Sequence, residues 1–254
     1  MLPTYGGSLF MAALRLAFIW PGGGAEQEYY QFAEATGDQI KIFLACSRVG
    51  GTGEGSDHDI EALLETARID WITDAAKRSV CLRPDTVFWA CTSGSFVVGR
   101  RGAEEQINAL QEATGVPAGS TSLAFAAAIT QLGFRRVGVL APYPEPTARA
   151  FVAFLKEFDI EVAFLDWLDA PSGWDSAAMD GEMIIERVVQ VSQTSADAIL
   201  VPDTALPTLS LVEEMERRTG QPVLTANAVT LWQAIRLAGG NTSYAGYGSL
   251  LGGQ

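Results

Sequence analysis

Arg15-Leu16-Ala17-Phe18-Ile19-Trp20-Pro21 and Arg136-Val137-Gly138-Val139-Leu140-Ala141-Pro142 share one pattern, an arginine, five apolar or small residues and a proline. Each is a short apolar run ended by a residue that cannot donate to a strand ladder, which reads as a strand buried on both faces. The two runs lie 121 residues apart. A second pair, Asp85-Thr86-Val87-Phe88-Trp89-Ala90-Cys91 and Asp197-Ala198-Ile199-Leu200-Val201-Pro202-Asp203, lies 112 apart. A third, Glu112-Ala113-Thr114-Gly115-Val116-Pro117 and Arg217-Arg218-Thr219-Gly220-Gln221-Pro222, lies 105 apart, and a helical segment follows each member (Leu123–Gly133, Val229–Gly239). Three matches in one order point to an internal duplication. The shrinking offsets are loop insertions, which cost little chain entropy.

The rest of the chain alternates in the same way. Further apolar runs occupy Ile40–Ala45, Val162–Leu165 and Pro222–Leu224. Helical spacing covers Glu61–Arg78, Glu104–Thr114, Leu123–Leu132, Thr147–Phe158, Gly181–Ser192, Leu209–Thr219 and Val229–Leu237. Alternation of this kind predicts βα units with parallel sheets covered on both faces. The expected fold is α/β, with two pseudo-symmetric Rossmann-like lobes and an active-site cleft between them. Residues 1–120 with about 226–254 form the first lobe and 121–225 the second, with room for helix exchange between lobes.

Parallel sheets bind ligands at the carboxyl ends of their strands. The repeat therefore sets Pro21-Gly22 opposite Pro142-Tyr143, and Cys91-Thr92-Ser93 opposite Asp203-Thr204-Ala205. One group on each side of a carbon suits proton removal from one face and delivery to the other, which makes Cys91 and Asp203 the candidate catalytic residues. A free thiol ionises near ~8.5 and needs nearby donors to become a thiolate. Proton loss or decarboxylation beside a carboxylate makes an enediolate, which needs fixed hydrogen-bond donors. Thr92, Ser93, Tyr143 and Thr204 supply hydroxyls, and backbone N–H groups after Cys91 and Asp203 complete the cradle around Pro21 and Ala205.

Other residues read more plainly. Cys46 is a small apolar residue at a strand end, and Asp203 would also serve as a helix cap. His58, in Gly55-Ser56-Asp57-His58-Asp59, reads as a solvated helix start. The run Gly22-Gly23-Gly24 lacks phosphate-loop spacing, so no nucleotide is expected. Phe96, Val97, Val98 and Trp167 are the apolar residues that would favour a hydrophobic substituent on the ligand.

Composition bounds the partners. The 254 residues are 48% hydrophobic and carry a net charge of −13, so nucleic acid and anionic membrane are excluded. Three cysteines without C-x-x-C spacing make neither a disulfide framework nor a zinc site, and fit a reducing cytoplasm. The apolar stretch Leu9–Leu14 lacks a basic n-region and reads as a lead-in to the first strand, not as a signal peptide.

Over nearly its whole length, from Leu16 to about Gly248, the chain resembles the Asp/Glu racemase superfamily, in the branch holding maleate cis-trans isomerases and arylmalonate decarboxylases. The resemblance is clearest in Phe88–Gly99, in Glu112–Pro142 with Gly133-Phe134-Arg135-Arg136-Val137, and in Thr219–Gly240 with Leu231-Trp232-Gln233-Ala234-Ile235-Arg236-Leu237-Ala238-Gly239-Gly240. It implies a cofactor-independent and metal-free enzyme, a homo-oligomer, with one catalytic position at each lobe's strand end. It also implies that Thr92, Ser93 and Tyr143 bind carboxylate. Racemases and maleate isomerases of this type carry cysteine at both positions, and arylmalonate decarboxylases only at the second. This chain has Cys91 at the first and Asp203 at the second, and Gly24 or a neighbour stands where maleate isomerases have asparagine.

The leading expectation is a cofactor-independent cis-trans isomerase or racemase of a small carboxylic or dicarboxylic acid, with Cys91 as nucleophile or acid/base. The alternatives are an arylmalonate-type decarboxylase with Cys91 as sole proton donor, and a non-catalytic acid-binding relative.

Overall fold

A computed structural model describes residues 13–51 and 56–253. The lead-in Leu9–Leu14 falls almost wholly outside them. In chain order the strands are β1 (Leu14–Trp20), β2 (Ile40–Cys46), β3 (Thr86–Trp89), β4 (Ala118–Ser120), β5 (Arg136–Ala141), β6 (Glu161–Trp167), β7 (Ala198–Val201) and β8 (Val223–Thr225). The helices are α1 (Glu26–Ala35), α2 (Ile60–Thr66), α3 (Ile69–Ser79), α4 (Ser93–Phe96), α5 (Gly99–Thr114) and α6 (Thr121–Leu132) in the first half. The second half adds α7 (Glu145–Lys156), α8 (Gly173–Ala177), α9 (Gly181–Ser192), α10 (Val212–Thr219), α11 (Ala226–Leu237) and α12 (Gly248–Gly252).

Two four-stranded sheets form, ordered β2-β1-β3-β4 and β6-β5-β7-β8, and every pairing in them is parallel. The registers of β1, β3 and β4 repeat in β5, β7 and β8, whereas the β5–β6 pairing carries a bulge at Val137/Gly138 that β1–β2 lacks. Leu16 faces Thr86 as Val137 faces Ala198, and Val87 faces Ala118 as Ile199 faces Val223. Those pairs reproduce the three offsets of the sequence repeat. The aspartates that open β3 and β7 also play one part: Asp85 Oδ2 accepts from the Arg15 N–H at 2.8 Å, and Asp197 Oδ2 from the Arg136 N–H at 2.9 Å. The duplication is real in three dimensions.

One apolar core runs through both lobes, from Phe18, Phe88 and Tyr29 to Val139, Phe151 and Leu200. Smaller clusters cover the far face of each sheet, around Trp89 and Ile72 in one and Ile199 and Val188 in the other. Packing of α6 against α11 joins the lobes, and α11 lies on β1, β3 and β4 of the first sheet. α12 instead rests on α10 and β8 as well as α11.

The helix expected over Glu61–Arg78 is broken into α2 and α3. Arg68 leaves the helical path at φ −62°, ψ 124°, and the freed Ala67 carbonyl accepts from Gln106 Nε2 of α5 at 2.9 Å. A tertiary hydrogen bond thus overrides a continuous amphipathic pattern. β4, α1, α4, α8 and α12 are too short or too irregular to stand out in the sequence.

Candidate active site

The strand ends named by the repeat meet. Asp203 N–H donates to Thr92 Oγ1 at 3.3 Å, and Thr204 Oγ1 donates to the Ala90 carbonyl at 3.3 Å, so the β3 and β7 loops are stitched to each other. A cavity of about 40 Å³ opens beside this seam. It is lined by Pro21, Cys91, Ser93, Asp203, Thr204 and Ala205, all expected there, and by Gly22, Val49, Asp57, His58, Leu63, Thr66 and Gly173. Thr92 and Tyr143 stand behind the lining, both buried. Among the described residues, no lysine or arginine lines the cavity wall.

Cys91 follows β3, where the chain turns into α4. That turn aims the Gly94 N–H at the sulfur, 3.3 Å away, and sets Ser93 Oγ 3.8 Å from it. Glycine is required at 94: a Cβ would sit 3.0 Å from the Cys91 sulfur and 2.9 Å from the Trp89 ring. Ser95 Oγ donates to the Cys91 carbonyl at 2.9 Å and Ser122 Oγ to the Thr92 carbonyl at 2.7 Å, so the loop is pinned from below. Burial pushes the Cys91 thiol up to about 12, against the pull of the Gly94 N–H and Ser93, and the nearby Asp203 charge adds to the rise. Desolvation wins, and the resting group is a thiol.

Asp203 is held at φ +88°, a left-handed conformation that asparagine, aspartate and glycine adopt most readily. Its Oδ1 accepts from the Ala205 N–H at 2.9 Å, while Oδ2 has no hydrogen-bond partner and lies 3.7 Å from His58 Nε2. Burial raises the Asp203 carboxyl above its ordinary value, and His58 opposes that rise. Tyr143 is pushed well above the phenol range, also by burial, with the neighbouring Thr92 and Ser93 hydroxyls opposing the rise.

Three expectations are corrected. His58 is not solvated: it is 4% exposed, with Nδ1 3.0 Å from the Ala170 carbonyl and its ring edge-on to Tyr143. Its partners lie 85 or more residues away in sequence, so a local reading of a polar, glycine-flanked segment could not find them. Cys46 is exposed rather than packed, because β2 is an edge strand whose end projects from the sheet. The apolar residues expected to face a substituent do not line the cavity: Phe96 packs on Tyr143 and Phe151 in the core, and the apolar wall is Pro21, Val49, Leu63 and Ala205.

The glycine run after β1 has a structural reason. Gly22, Gly23 and Gly24 all have positive φ, and a Cβ at Gly23 would fall 2.9 Å from the Ala205 methyl, at Gly24 2.7 Å from Ala177. The run lets the first lobe press against the β7 loop and α8. Among the described residues, no group of three His, Cys, Asp or Glu side chains is placed to hold a metal ion, and no helix is long and apolar enough to cross a membrane.

Two lobes of one topology, with Cys91 of one and Asp203 of the other lining a shared cavity, define a class of two-lobed α/β proteins. Within that class the chain belongs to the arylmalonate decarboxylase family, whose model matches residues 65–251. It is 29% identical over 203 residues to an arylmalonate decarboxylase of Bordetella bronchiseptica, covering 79% of this chain and 82% of that protein. It is 25% identical over 178 residues to a maleate isomerase of Geobacillus stearothermophilus, covering 68% and 71%. The crystal structure of a maleate isomerase variant from Pseudomonas putida S16 with maleate has the same fold, at a TM-score of 0.82 and 22% identity over 95% of this chain and 98% of that one. These relatives are enzymes, decarboxylase on one side and isomerases on the other.

Proposed function

We propose that the chain is a cofactor-free decarboxylase of a malonate-type acid, with the Cys91 thiol as the proton donor. The feature that carries this reading is the burial of Cys91 at the cavity wall, which pushes its thiol up to about 12: the proton stays on sulfur until a strongly basic carbanion takes it, and the thiol is a poor nucleophile. Loss of CO2 breaks a C–C bond and leaves its electron pair in an enediolate. Cys91 then gives its proton to the α-carbon, and the thiolate recovers a proton from water. The Ser93 hydroxyl, with the Tyr143 hydroxyl behind it, is the side-chain donor for the retained carboxylate. Among the described residues no lysine or arginine lines the wall, so the substrate's charge is met by neutral donors. Val49, Leu63 and Pro21 offer its substituent an apolar side.

CO2 release from a panel of aryl- and alkylmalonates tests the proposal, with one solvent deuterium expected at the α-carbon in D2O. No release from any member, by protein that binds them, would sink it.

The isomerase reading is second, and Asp203 beside His58 is the observation that favours it. Cis-trans isomerisation through sulfur needs a thiolate, which burial opposes. Racemisation needs a second acid/base, which that pair can supply. Deuterium exchange at the α-carbon of monocarboxylic acids, without CO2 release from malonates, would favour it over decarboxylation.

A further inference from the structure

We propose that His58 is the proton partner of Asp203, so that the two side chains work as one acid/base unit in the cavity that holds Cys91. The inference rests on the proton-transfer reading of this cleft and goes further, because neither the family resemblance nor the repeat gives His58 a part. His58 acts through Asp203, as a positioning and proton-holding residue.

The geometry of the imidazole assigns its nitrogens. Nδ1 lies 3.0 Å from the Ala170 carbonyl oxygen, which only accepts, so Nδ1 carries a hydrogen whatever the charge of the ring. Nε2 is therefore the nitrogen that gains and loses a proton, and it is the one facing Asp203 Oδ2 at 3.7 Å. Oδ1 of that carboxyl is already engaged by the Ala205 N–H, and the buried Ser176 hydroxyl of α8 is the other side-chain donor beside the carboxyl. Oδ2 thus faces Nε2, both from residues about 5% exposed.

The ring is also held in place. The His58 N–H donates to the Pro171 carbonyl at 3.1 Å, and its own carbonyl accepts from Thr147 Oγ1 at 2.7 Å. The Tyr143 ring meets it edge-on at 4.9 Å between centroids. A loop from the first half of the chain is therefore anchored to the second half at three points, and its imidazole has little freedom except along the line to Asp203. A gap of 3.7 Å is longer than a hydrogen bond, as catalytic pairs often are before ligand closes the site.

The step balances without any co-reactant. Asp203, as carboxylate, takes the α-proton, and the C–H electron pair enters the enediolate. The proton passes from Oδ2 to Nε2, leaving carboxylate beside imidazolium. The enediolate then takes one proton, either back through Oδ2 on the same face or from the Cys91 thiol on the other; in the second case Nε2 releases its proton to water and the thiolate regains one from water. The other titratable groups facing the pair are Asp57 from its own loop, Cys91 after β3 and Tyr143 after β5. Asp57 Oδ1 is engaged by the Gly173 N–H at 3.1 Å, and Tyr143 stays neutral.

The chain has a single histidine, so tag-free, 15N-labelled protein gives one imidazole to follow by NMR from pH 5 to 9. The expected result is that Nδ1 keeps its hydrogen throughout, and that the Nε2 resonance moves in Asp203→Asn while the Nδ1 resonance holds its place. Asparagine keeps the shape of the side chain and tolerates the left-handed backbone. An unmoved Nε2 resonance, or a hydrogen retained on Nε2 instead of Nδ1, overturns the proposal. A second measurement separates it from the reaction: α-proton exchange of 2-phenylpropanoate in D2O by wild type, Cys91→Ala, His58→Gln and Asp203→Asn. His58→Gln keeps an amide toward Asp203 but cannot take up a proton, so about a tenfold or greater loss of exchange, with loss of one limb of its pH profile, is expected. Exchange by none of the four, with the NMR result standing, would fault the proton-transfer reading and leave the pair intact. Exchange unaltered in His58→Gln would refute the pair's working role.

Discussion

The β3 and β7 loops occupy equivalent places in the two lobes, with matching strand registers behind them, yet they end differently. After β3 the chain enters α4 at once and folds a backbone N–H onto a sulfur. After β7 it turns through a left-handed aspartate and forms no helix until Leu209, leaving a carboxyl that faces an imidazole. Duplication preserved the scaffold while the reactive groups diverged. The first loop carries its own donors and the second borrows a partner from 145 residues upstream. Cys91 finds its hydrogen-bond donors within its own loop, whereas the Asp203 carboxyl faces a side chain from the other half of the chain.

Replacing the two reactive groups separately breaks that comparison most strongly. Cys91→Ala should lower turnover of a malonate substrate by about a thousandfold, the scale of a lost general acid, while leaving the thermal midpoint nearly unchanged. Asp203→Asn should cost decarboxylation far less than this and should cost α-proton exchange about as much. Steady-state rates of CO2 release and deuterium uptake on both variants give the answer. Equal losses in both reactions would mean that the lobes share one chemical role rather than dividing two.

Asp203→Asn carries a second expectation, in stability. The folded carboxyl is raised by burial, so the folded state holds a proton the unfolded chain has released. Its contribution to stability is full below the ordinary carboxylate range and fades as pH climbs through the folded value. The variant should therefore show a flatter melting temperature against pH, with its gain over wild type at the alkaline end.

How much of this asymmetry was legible follows from the range of the interactions. Strand runs, their order and their ends are local patterns, so β1, β3, β5 and β7 and the meeting of Cys91 with Asp203's loop could be read directly. The registers confirm offsets obtained from letters alone. His58 could not be read, because every one of its contacts joins distant segments, and Asp57 came with it for the same reason. Thr92 and Tyr143 were named as ligand-binding hydroxyls. In the fold they back the cavity without lining it, a distinction set by side-chain depth that no spacing encodes.

A third difference between lobes lies in what supports the β7 loop. Glu28 of α1 is buried, and its two oxygens accept from the Leu209 N–H and from Asn227 Nδ2, both at 2.7 Å. Asn227 also donates to the Thr204 carbonyl at 3.2 Å, and Tyr29 Oη donates to Asn227 Oδ1 at 2.7 Å. The position 121 residues on is Arg149, an exposed residue paired with Glu145, so the β3 loop has no such prop. Burial raises Glu28 to about 7, despite hydrogen bonds that favour its charged form. Its unfolded value lies near 4.5. Stability from this group is therefore complete below that value and is lost as pH rises toward 7, by about 3 kcal/mol in all. Glu28→Gln should flatten the melting temperature between pH 5 and 8. A slope unchanged from wild type would show that Glu28 stays charged and that the prop is an ordinary carboxylate network.

The glycine run is a smaller lever on the same interface. Gly23→Ala places a methyl 2.9 Å from the Ala205 side chain at φ +120°, and both the contact and the backbone resist it. A loss of about 1–2 kcal/mol is expected, together with lowered activity, since Ala205 is part of the cavity wall. A variant of wild-type stability and activity would mean that the lobes part easily along this seam.

The smallest effect tests the symmetry where it is most exact. Gly115 closes α5 and Gly220 closes α10, at φ +73° and +69°, each N–H donating at 2.8 Å to the carbonyl four residues back. A Cβ at either would meet nothing within 4 Å. Only the left-handed backbone then distinguishes glycine from alanine, so Gly115→Ala and Gly220→Ala should each cost about 1 kcal/mol in chemical denaturation. The two values should agree within about 0.5 kcal/mol, and the double variant should show their sum, because the sites share no partner. A large inequality would locate divergence in the helices that frame the lobes as well as in the loops that carry the chemistry. Equality would confine it to those loops, where Cys91 and Asp203 already differ.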